Sequence, residues 1–306
     1  MVRVDRPFNF AFCRALKIEN QNKASCKNYY VLKVKNMGVL DGKVAVITGG
    51  TRGLGMGIAM AFAREGAAVV VASRSSESVE AAVQQIRSIG GKSSGLAVDV
   101  ANLAQVESLA RHAISQFDRI DIWVNNAGTA GPYGSTLGYT PEAFNQVLAT
   151  NILGVYHGSR TAMPVFLQQG SGKLINILGH GYNRPVAWQN AYASSKAWVR
   201  SFTMSLAEET KDSHVGVYAF NPGLVLTELL TDVEVIEGSE ERLKSFPTIV
   251  RMWAKPPEIP AKKIVWIASN ATDGKTGLLV NLFSPWQALL GAVKEGIRVL
   301  INQPAA

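Results

Sequence analysis

A tyrosine and a lysine four residues apart are the pair in this sequence best suited to moving a proton. Tyr192 and Lys196 lie at the start of a stretch whose apolar spacing predicts a helix over Tyr192–Thr210. Four residues along a helix return to the same face, so the lysine ammonium would lie near the phenol. An unperturbed tyrosine has a pKa of about 10, and a nearby positive charge stabilises its phenolate. The pair therefore predicts a general acid and base.

The elements that would position this pair alternate along the chain. From Lys43 onward, short β-branched runs alternate with longer amphipathic stretches, which is typical of β-α-β units and a mostly parallel sheet. Right-handed crossovers then predict an α/β fold, a single Rossmann-type doubly wound sheet of about seven strands with helices on both faces. Strands are predicted at Val44–Thr48, Ala68–Ala72, Gly95–Val98, Ile120–Val124, Lys173–Leu178, Val215–Phe220 and Leu278–Asn281. Helices are predicted at Leu54–Arg64, Val79–Ile89, Leu103–Phe117, Pro141–Leu167, Tyr192–Thr210 and Pro260–Ser269.

A glycine-rich turn joins the first predicted strand to an alanine-rich helix. The run from Thr48 to Gly55 reads TGGTRGLG. Glycines let the backbone turn tightly and approach a pyrophosphate, whose charge is favoured by the free N–H groups of a helix N-terminus. A turn of this kind can also be a plain connection, but its place after the first strand favours a dinucleotide site.

The end of the second predicted strand favours NADP(H) over NAD(H). An NAD site has a carboxylate there for the ribose 2′-hydroxyl, whereas this chain reads Ala72-Ser73-Arg74 and has no acid until Glu77. Arg74 can pair with a 2′-phosphate through its planar fork, and Ser73 can donate a hydroxyl. Arg52, in the glycine-rich turn, can reach the same region. The alternative is that both arginines are solvated surface residues.

These motifs, taken together and in order, resemble the short-chain dehydrogenase/reductase family from about Lys43 to Phe283. They are the glycine-rich turn, Asp99-Val100, Asn125-Asn126-Ala127-Gly128, Asn151, Tyr192 with Lys196, and Asn221-Pro222-Gly223 with Thr227. The resemblance implies reduction of a small-molecule carbonyl to an alcohol, or the reverse, with Tyr192 exchanging the proton. It also implies that Lys196 holds the nicotinamide ribose and that Asn151 supports a water leading protons from solvent.

The same resemblance assigns the cofactor contacts residue by residue. Asp99 and Val100 are expected at the adenine, and the residues after the sixth strand along the nicotinamide. The residues expected to bind NADP(H) are Gly49, Thr51, Arg52, Gly53, Leu54, Gly55, Ser73, Arg74, Asp99, Val100, Asn126, Ala127, Gly128, Tyr192, Lys196, Pro222, Gly223, Val225 and Thr227. Members of the family commonly pair through the fourth and fifth helices, so a homodimer or homotetramer is expected.

One position departs from the family. The serine that usually orients the substrate oxygen, about thirteen residues before the tyrosine, falls on Gly179, and no Ser or Thr occurs from Gly172 to Ala193. Losing such a donor costs about a hundredfold in rate when nothing replaces it. Three explanations stay open: the substrate supplies a polar group, the chain is a non-catalytic NADP(H)-binding or scaffold protein, or a neighbouring side chain substitutes. The neighbours with suitable groups are His180, Tyr182 and Asn183.

A long insertion precedes the last predicted unit. Residues 223–258 are rich in Pro, Glu and Leu, and long insertions in compact α/β domains are often lids. The run from Pro222 to Leu230 is similar to the corresponding segment of chlorophyll b reductases, a branch of the family. Residues 286–301 show helical spacing of apolar residues and predict a closing helix.

The charge distribution separates residues 1–36 from the rest. This segment has eight Lys/Arg and two acidic residues, so it carries +6 of the net charge of +8, and both cysteines, Cys13 and Cys26, lie in it. It is predicted to be a targeting peptide, a disordered arm, or sequence upstream of a start at Met37. The nearly neutral remainder gives no reason to expect a nucleic-acid partner. No metal site and no spanning segment are predicted, and a cytoplasmic enzyme is the default.

Overall fold

A computed structural model describes residues 38–282 and residue 293 of the 306-residue chain. The chain divides into two units, residues 1–38 and 39–306, and all described residues except Gly38 belong to the second. The predicted basic extension at residues 1–36 and, apart from Val293, the predicted closing helix at residues 286–301 lie outside the described residues.

The centre of the described fold is a seven-stranded sheet in which all pairs are parallel, with the order β3-β2-β1-β4-β5-β6-β7. The order reverses between β1 and β4, which is where a doubly wound sheet opens a crevice at its carboxyl edge. The strands are β1 Val44–Thr48, β2 Ala68–Ser73, β3 Ser93–Ala97, β4 Ile122–Asn125, β5 Gly172–Ile177, β6 Val215–Asn221 and β7 Leu278–Asn281. The predicted fold class is confirmed.

Helices cover both faces of the sheet. They are α1 Gly53–Arg64, α2 Ser76–Ser88, α3 Leu103–Phe117, α4 Pro141–Leu148, α5 Gly154–Gln169, α6 Asn190–Glu209, α7 Glu228–Thr231, α8 Phe246–Trp253 and α9 Glu258–Ala268. Short 3-10 turns occupy Thr136–Gly138, Glu240–Leu243 and Asn270–Thr272.

One predicted helix is wrong in detail. The stretch Pro141–Leu167 is not one regular helix, because a π-helical turn, Ala149–Leu153, separates α4 from α5. Such turns often occur at functional sites, and this one contains the fully buried Asn151. The side-chain amide of Asn151 hydrogen-bonds the backbone of Thr129 in a distant loop. Helical periodicity in the sequence does not reveal such an interaction.

The core consists of two apolar layers, one on each face of the sheet. Along β1, Ala45 and Ile47 pack in the layer beneath α1 and α9, and Val46 packs in the opposite layer with α3 and α5. Strands of a parallel sheet are buried on both faces, so they are continuously apolar instead of alternating. This explains why β1 and β2 appear in the sequence as apolar runs rich in Val and Ala.

Candidate active site

The glycine-rich turn is tied to the loop after β4 by a buried network. Thr48 Oγ1 donates to the carbonyl of Val124 at 3.3 Å and accepts from the amides of Asn126 at 3.1 Å and Ala127 at 3.2 Å. The Asn126 side-chain amide donates back to the carbonyls of Thr48 and Gly49, both at 3.0 Å. The network therefore holds the predicted cofactor residues Gly49, Asn126 and Ala127 together.

Close backbone packing explains the glycines of this turn. Gly49 has a φ of +61°, a conformation that L side chains rarely adopt. A Cβ on Gly55 would lie 2.0 Å from the carbonyl oxygen of Gly49. No side chain fits at Gly55, so the first turn of α1 can lie directly against the turn.

The N-terminus of α1 suits an anion. Within the described part of the chain, no side chain caps this end, whose N-cap is Arg52, and its first turn has no acidic residue. The first N–H groups of a helix have no partner inside the helix and attract negative charge. Gly53, Leu54 and Gly55 supply these groups, which fit the pyrophosphate of a dinucleotide.

Arg52 has a partner that the sequence did not predict. Its guanidinium pairs with the carboxylate of Glu228 at the start of α7, and both side chains are largely exposed. Thr227 adjoins the same turn, because a Cβ on Gly53 would lie 3.0 Å from its methyl group. The glycine-rich turn is therefore in contact with the segment after β6 in this structure.

The residues expected at the adenine and its ribose lie at the carboxyl ends of β2 and β3. Ser73 ends β2 and is half-buried, whereas Arg74 is exposed. Asp99 is exposed, and its carboxylate accepts from the amide of Ala101 at 3.0 Å. Val100 is buried and fills the space above Gly154, where a Cβ would lie 2.6 Å from Val100.

Asn151 is locked in place at the π-helical turn. Its side chain accepts from the amide of Thr129 and donates to the carbonyl of the same residue, both at 2.9 Å, and donates to Ser195 Oγ at 3.0 Å. A Cβ on Gly128 would lie 3.3 Å from Asn151 Oδ1 and 3.6 Å from Lys196 Nζ. The predicted residues Gly128, Asn151 and Lys196 therefore converge. Thr129 and Ser195 were missed, since neither position has a distinctive local pattern.

Tyr192 and Lys196 lie on α6 as predicted. Lys196 Nζ is 5.6 Å from the centre of the Tyr192 ring and donates to the carbonyl of Ile177 at 3.1 Å. Burial lowers the pKa of Lys196 to about 8 and raises the pKa of Tyr192 to about 12. The sequence predicts that Lys196 stabilises the phenolate; in this arrangement loss of solvent is the cause of both pKa shifts.

Gly179, the position without a serine, lies against the Tyr192 hydroxyl. A Cβ there would be 2.1 Å from Tyr192 Oη and 2.9 Å from Cζ. Gly181 shows the same feature: its φ is +93° and a Cβ would lie 2.4 Å from that of Ala193. The backbone after β5 therefore packs directly on the first turn of α6, and the phenol occupies the space that a serine side chain would need.

The three candidate replacements for the serine differ in their surroundings. His180 is exposed, and its Nδ1 is 3.4 Å from Oε1 of Gln189. Tyr182 is half-buried, and its hydroxyl accepts from the side-chain amide of Asn281 on β7 at 3.2 Å. Asn183 is exposed. The serine position itself, Gly179, lies against the Tyr192 hydroxyl.

The segment after β6 begins with the residues expected along the nicotinamide. Gly223, which follows Pro222, has a φ of +73°, and its amide donates to Oδ1 of Asn221 at 3.3 Å. Val225 is buried and forms a parallel bridge with Lys255, so residues 225 and 255 close the base of the insertion.

The predicted lid packs on the loop after β4. Val235 forms a parallel bridge with Tyr133. Ile236 fills the space above Gly134 and Gly138, where added Cβ atoms would lie 2.5 and 2.8 Å from its side chain. Arg242 lies 3.8 Å from the centre of the Trp188 ring. The insertion therefore packs on the loop after β4 and on the segment that precedes α6.

The described residues form neither a metal centre nor a membrane-spanning helix. No group of three or more His, Cys, Asp or Glu there is arranged to hold a metal ion. No helix in that part of the chain is long and apolar enough to cross a membrane.

Comparison with protein families and curated proteins agrees with this geometry. The family model for short chain dehydrogenases matches residues 43–236. The probable chlorophyll(ide) b reductase NYC1 of Arabidopsis thaliana, named as chloroplastic, is 34% identical over 272 residues, which cover 83% of this chain and 53% of that protein. The chain thus spans about half the length of this relative. The 7alpha-hydroxysteroid dehydrogenase of Escherichia coli is 30% identical over 244 residues, 79% of this chain and 93% of that enzyme.

Solved structures lead to the same family. The 3-ketoacyl-(acyl-carrier-protein) reductase of Brucella melitensis, complexed with NADH, has a TM-score of 0.72 and 30% identity, covering 79% of this chain and 97% of its own. Levodione reductase has a TM-score of 0.73 and 25% identity, covering 81% of this chain and 99% of its own. The resemblance is confirmed, including its link to the chlorophyll b reductase branch. The chain is a member of the short-chain dehydrogenase family, whose enzymes are nicotinamide-dependent oxidoreductases.

Proposed function

We propose that this protein is an NADPH-dependent oxidoreductase that reduces the carbonyl of a ketone or aldehyde to an alcohol, or catalyses the reverse, with Tyr192 as proton donor or acceptor. The observation that carries the proposal is the convergence of Tyr192, Lys196 and Asn151 beside the glycine-rich turn. A scaffold protein would have no need of this combination.

The nicotinamide, when bound, supplies the hydride that adds to the carbonyl carbon. Tyr192 holds the proton for the oxygen, and its pKa of about 12 keeps the phenol protonated at neutral pH, which suits a donor. Lys196, with a pKa of about 8, is mostly charged at pH 7 and stabilises the phenolate once the proton has left. Asn151, fixed by Thr129 and Ser195, is expected to support the proton path from solvent.

The choice of NADPH rests on the end of β2. Ser73 and the exposed Arg74 offer a hydroxyl and a guanidinium, and the sequence from Ser73 to Ser76 has no acidic residue that would repel a 2′-phosphate. In this structure Arg52 is paired with Glu228, so we assign the larger part of phosphate recognition to Arg74.

We also propose a homodimer or homotetramer that pairs through α5 and α6. Trp198 and Phe202 stack with ring centres 4.9 Å apart, and Tyr156 packs edge-on against Phe202. Leu153 and Tyr156 are large apolar side chains exposed on the same part of the molecule. Light scattering of the full chain would test this, because a monomer at micromolar concentration contradicts it.

The domain limits and compartment stay predictions. We expect the catalytic domain to comprise residues 37–306, with residues 223–258 as its substrate lid. A cytoplasmic location is the prediction that imaging of the tagged full chain would test. Since NYC1 is named as chloroplastic, a plastid signal would show that prediction to be wrong.

The function is tested by following NADPH consumption by the full chain with a panel of ketones, aldehydes, enones and a formyl-bearing macrocycle such as chlorophyllide b. We expect turnover of at least one carbonyl compound and measurable binding of NADPH. NADPH binding without turnover of any compound would instead favour the non-catalytic alternative, and absence of binding would contradict both.

A further inference from the structure

We propose that the backbone N–H of Gly179 replaces the missing serine hydroxyl and donates to the substrate's carbonyl oxygen beside Tyr192. The inference rests on the proposed function and concerns the same site. The substrate oxygen would then accept one hydrogen bond from the Tyr192 hydroxyl and a second from main chain, instead of from a side chain.

The first observation is proximity. A Cβ built on Gly179 would lie 2.1 Å from Tyr192 Oη, and a carbon–carbon bond is about 1.5 Å long. The Cα of Gly179 is therefore within about 4 Å of the oxygen that exchanges the proton. A substrate carbonyl oxygen that accepts a hydrogen bond from Tyr192 would therefore lie next to the backbone of Gly179.

The second observation is an unpaired donor. Gly179 is buried, and its N–H has no hydrogen-bond acceptor among the residues that the structure describes, Tyr192 included. The preceding amide, that of Leu178, donates to Phe220 on β6 at 2.8 Å. More than nine in ten buried backbone N–H groups are paired, so an unpaired one at a reaction centre suggests a ligand.

The third observation is direction. β5 ends at Ile177, and the amide of the next residue, Leu178, bonds β6. Successive residues of a parallel strand bond to opposite neighbours, and the same alternation, continued by one residue, would turn the amide of Gly179 to the β4 side. β4 ends at Asn125, so no strand pairs with Gly179 there. The carbonyl of Ile177, two residues earlier, faces the same side and accepts from Lys196. The Gly179 N–H therefore faces the gap in which Lys196 and Tyr192 lie.

A fixed backbone donor is well suited to this task. It stabilises the negative charge that develops on the carbonyl oxygen, and it needs no reorganisation during the reaction. The close contact between Gly179 and Tyr192 explains why the position has no side chain. A serine side chain at this position would displace the phenol.

The decisive experiment removes only this N–H. In the full chain, Gly179 is replaced by glycolic acid through nonsense suppression, which substitutes an ester for the amide. We expect kcat for the best carbonyl substrate of the panel to fall about a hundredfold, with the Kd for NADPH unchanged within threefold. The same ester at the exposed Gly42, before β1, where nothing lies within 4 Å of an added Cβ, is the matched control and should have no effect.

Conventional variants give an independent test. We expect Gly179→Ser to lower kcat at least tenfold, and His180→Ala, Tyr182→Phe and Asn183→Ala each to stay within threefold of wild type. An ester variant within twofold of wild type would overturn the inference while the proposed function stands. A gain in Gly179→Ser, or a tenfold loss in His180→Ala, would do the same. If the wild-type chain reduces no carbonyl, the proposed function fails first and the inference fails with it.

Discussion

The two sides of the sheet's carboxyl edge are built in different ways. Around β1 and β4, the polar side chains of Thr48 and Asn126 tie one loop to the other through five hydrogen bonds. After β5, the glycines at 179 and 181 lie directly against Tyr192 and Ala193. The cofactor side depends on polar side chains that hydrogen-bond from one loop to the other. The substrate side depends on glycines, whose lack of a side chain allows close packing against α6.

The difference explains which motifs can be recognised in the sequence. A polar residue at the end of a buried strand is conspicuous, whereas a glycine that admits a neighbouring phenol is not. In the proposed function the roles differ accordingly: the cofactor side would bind a dinucleotide with charged and polar groups, and the substrate side would present a close-packed backbone next to Tyr192. The predictions below test each side.

The largest effect expected on the cofactor side is in cofactor selectivity. Arg74→Asp should weaken NADPH binding about 10- to 100-fold relative to NADH, because it replaces a charge-assisted hydrogen bond to the 2′-phosphate with repulsion. Fluorescence titration with both cofactors measures the ratio. Arg87→Asp on α2, whose guanidinium bonds the carbonyl of Ser93, is a control for the charge change. An unchanged ratio in Arg74→Asp would show that NADPH recognition lies elsewhere.

A second prediction concerns the buried network. Thr48→Val should lower the free energy of unfolding by about 2 kcal/mol, since the partly buried amides of Asn126 and Ala127 lose their acceptor. His180→Ala, at an exposed position after β5, should change it by less than about 0.5 kcal/mol. Urea unfolding of both variants measures the contrast. Equal values would contradict the distinction between the two sides.

The third prediction is a pH dependence on the substrate side. Burial lowers the pKa of Lys196 to about 8, so its charge is present below that pH and is lost above it. Tyr192, with a pKa of about 12, stays protonated through the same range. The kcat for reduction should be flat near pH 6 to 7 and fall about tenfold per pH unit above 8. Stopped-flow rates at saturating cofactor measure it, and a flat profile up to pH 10 would contradict the role of Lys196.

The smallest effect, a change in NADPH affinity, is expected where the glycine-rich turn contacts the segment after β6. Glu228→Gln removes the carboxylate that pairs with Arg52, which frees the arginine for a cofactor phosphate. We expect NADPH to bind about two- to fivefold more tightly, because exposed ion pairs contribute little. Glu237→Gln in the same insertion is the matched control. Weaker NADPH binding in Glu228→Gln would mean that the Arg52–Glu228 pair helps to hold the cofactor.

Much of the fold could be predicted from periodicity. The β-branched runs of β1 and β2 identify buried parallel strands, and the run from Thr48 to Gly55 identifies the first crossover. The π-helical turn at Asn151 could not be predicted, because it depends on a contact with Thr129, 22 residues away. Local spacing reports which face of a helix is apolar, but it does not report where a distant loop bonds to that helix.

The candidate site, like the fold, could be predicted only in part from local sequence spacing. Tyr192 and Lys196 could be predicted because their roles need particular side chains at helical spacing. The pairing of Arg52 with Glu228, 176 residues away, depends on how the insertion folds back over the glycine-rich turn. Gly179 was recognised as a departure, but its contact with Tyr192 depends on the distance between β5 and α6, which sequence spacing does not encode.

The central claim is that Tyr192 delivers the proton in an NADPH-linked reduction. It is tested most directly by Tyr192→Phe, with kcat for the best carbonyl substrate and the Kd for NADPH measured on the same preparation. We predict a loss in kcat of at least about a thousandfold, within the range for a general acid, with the Kd for NADPH within threefold of wild type. A variant that keeps more than a tenth of the wild-type kcat would contradict the claim.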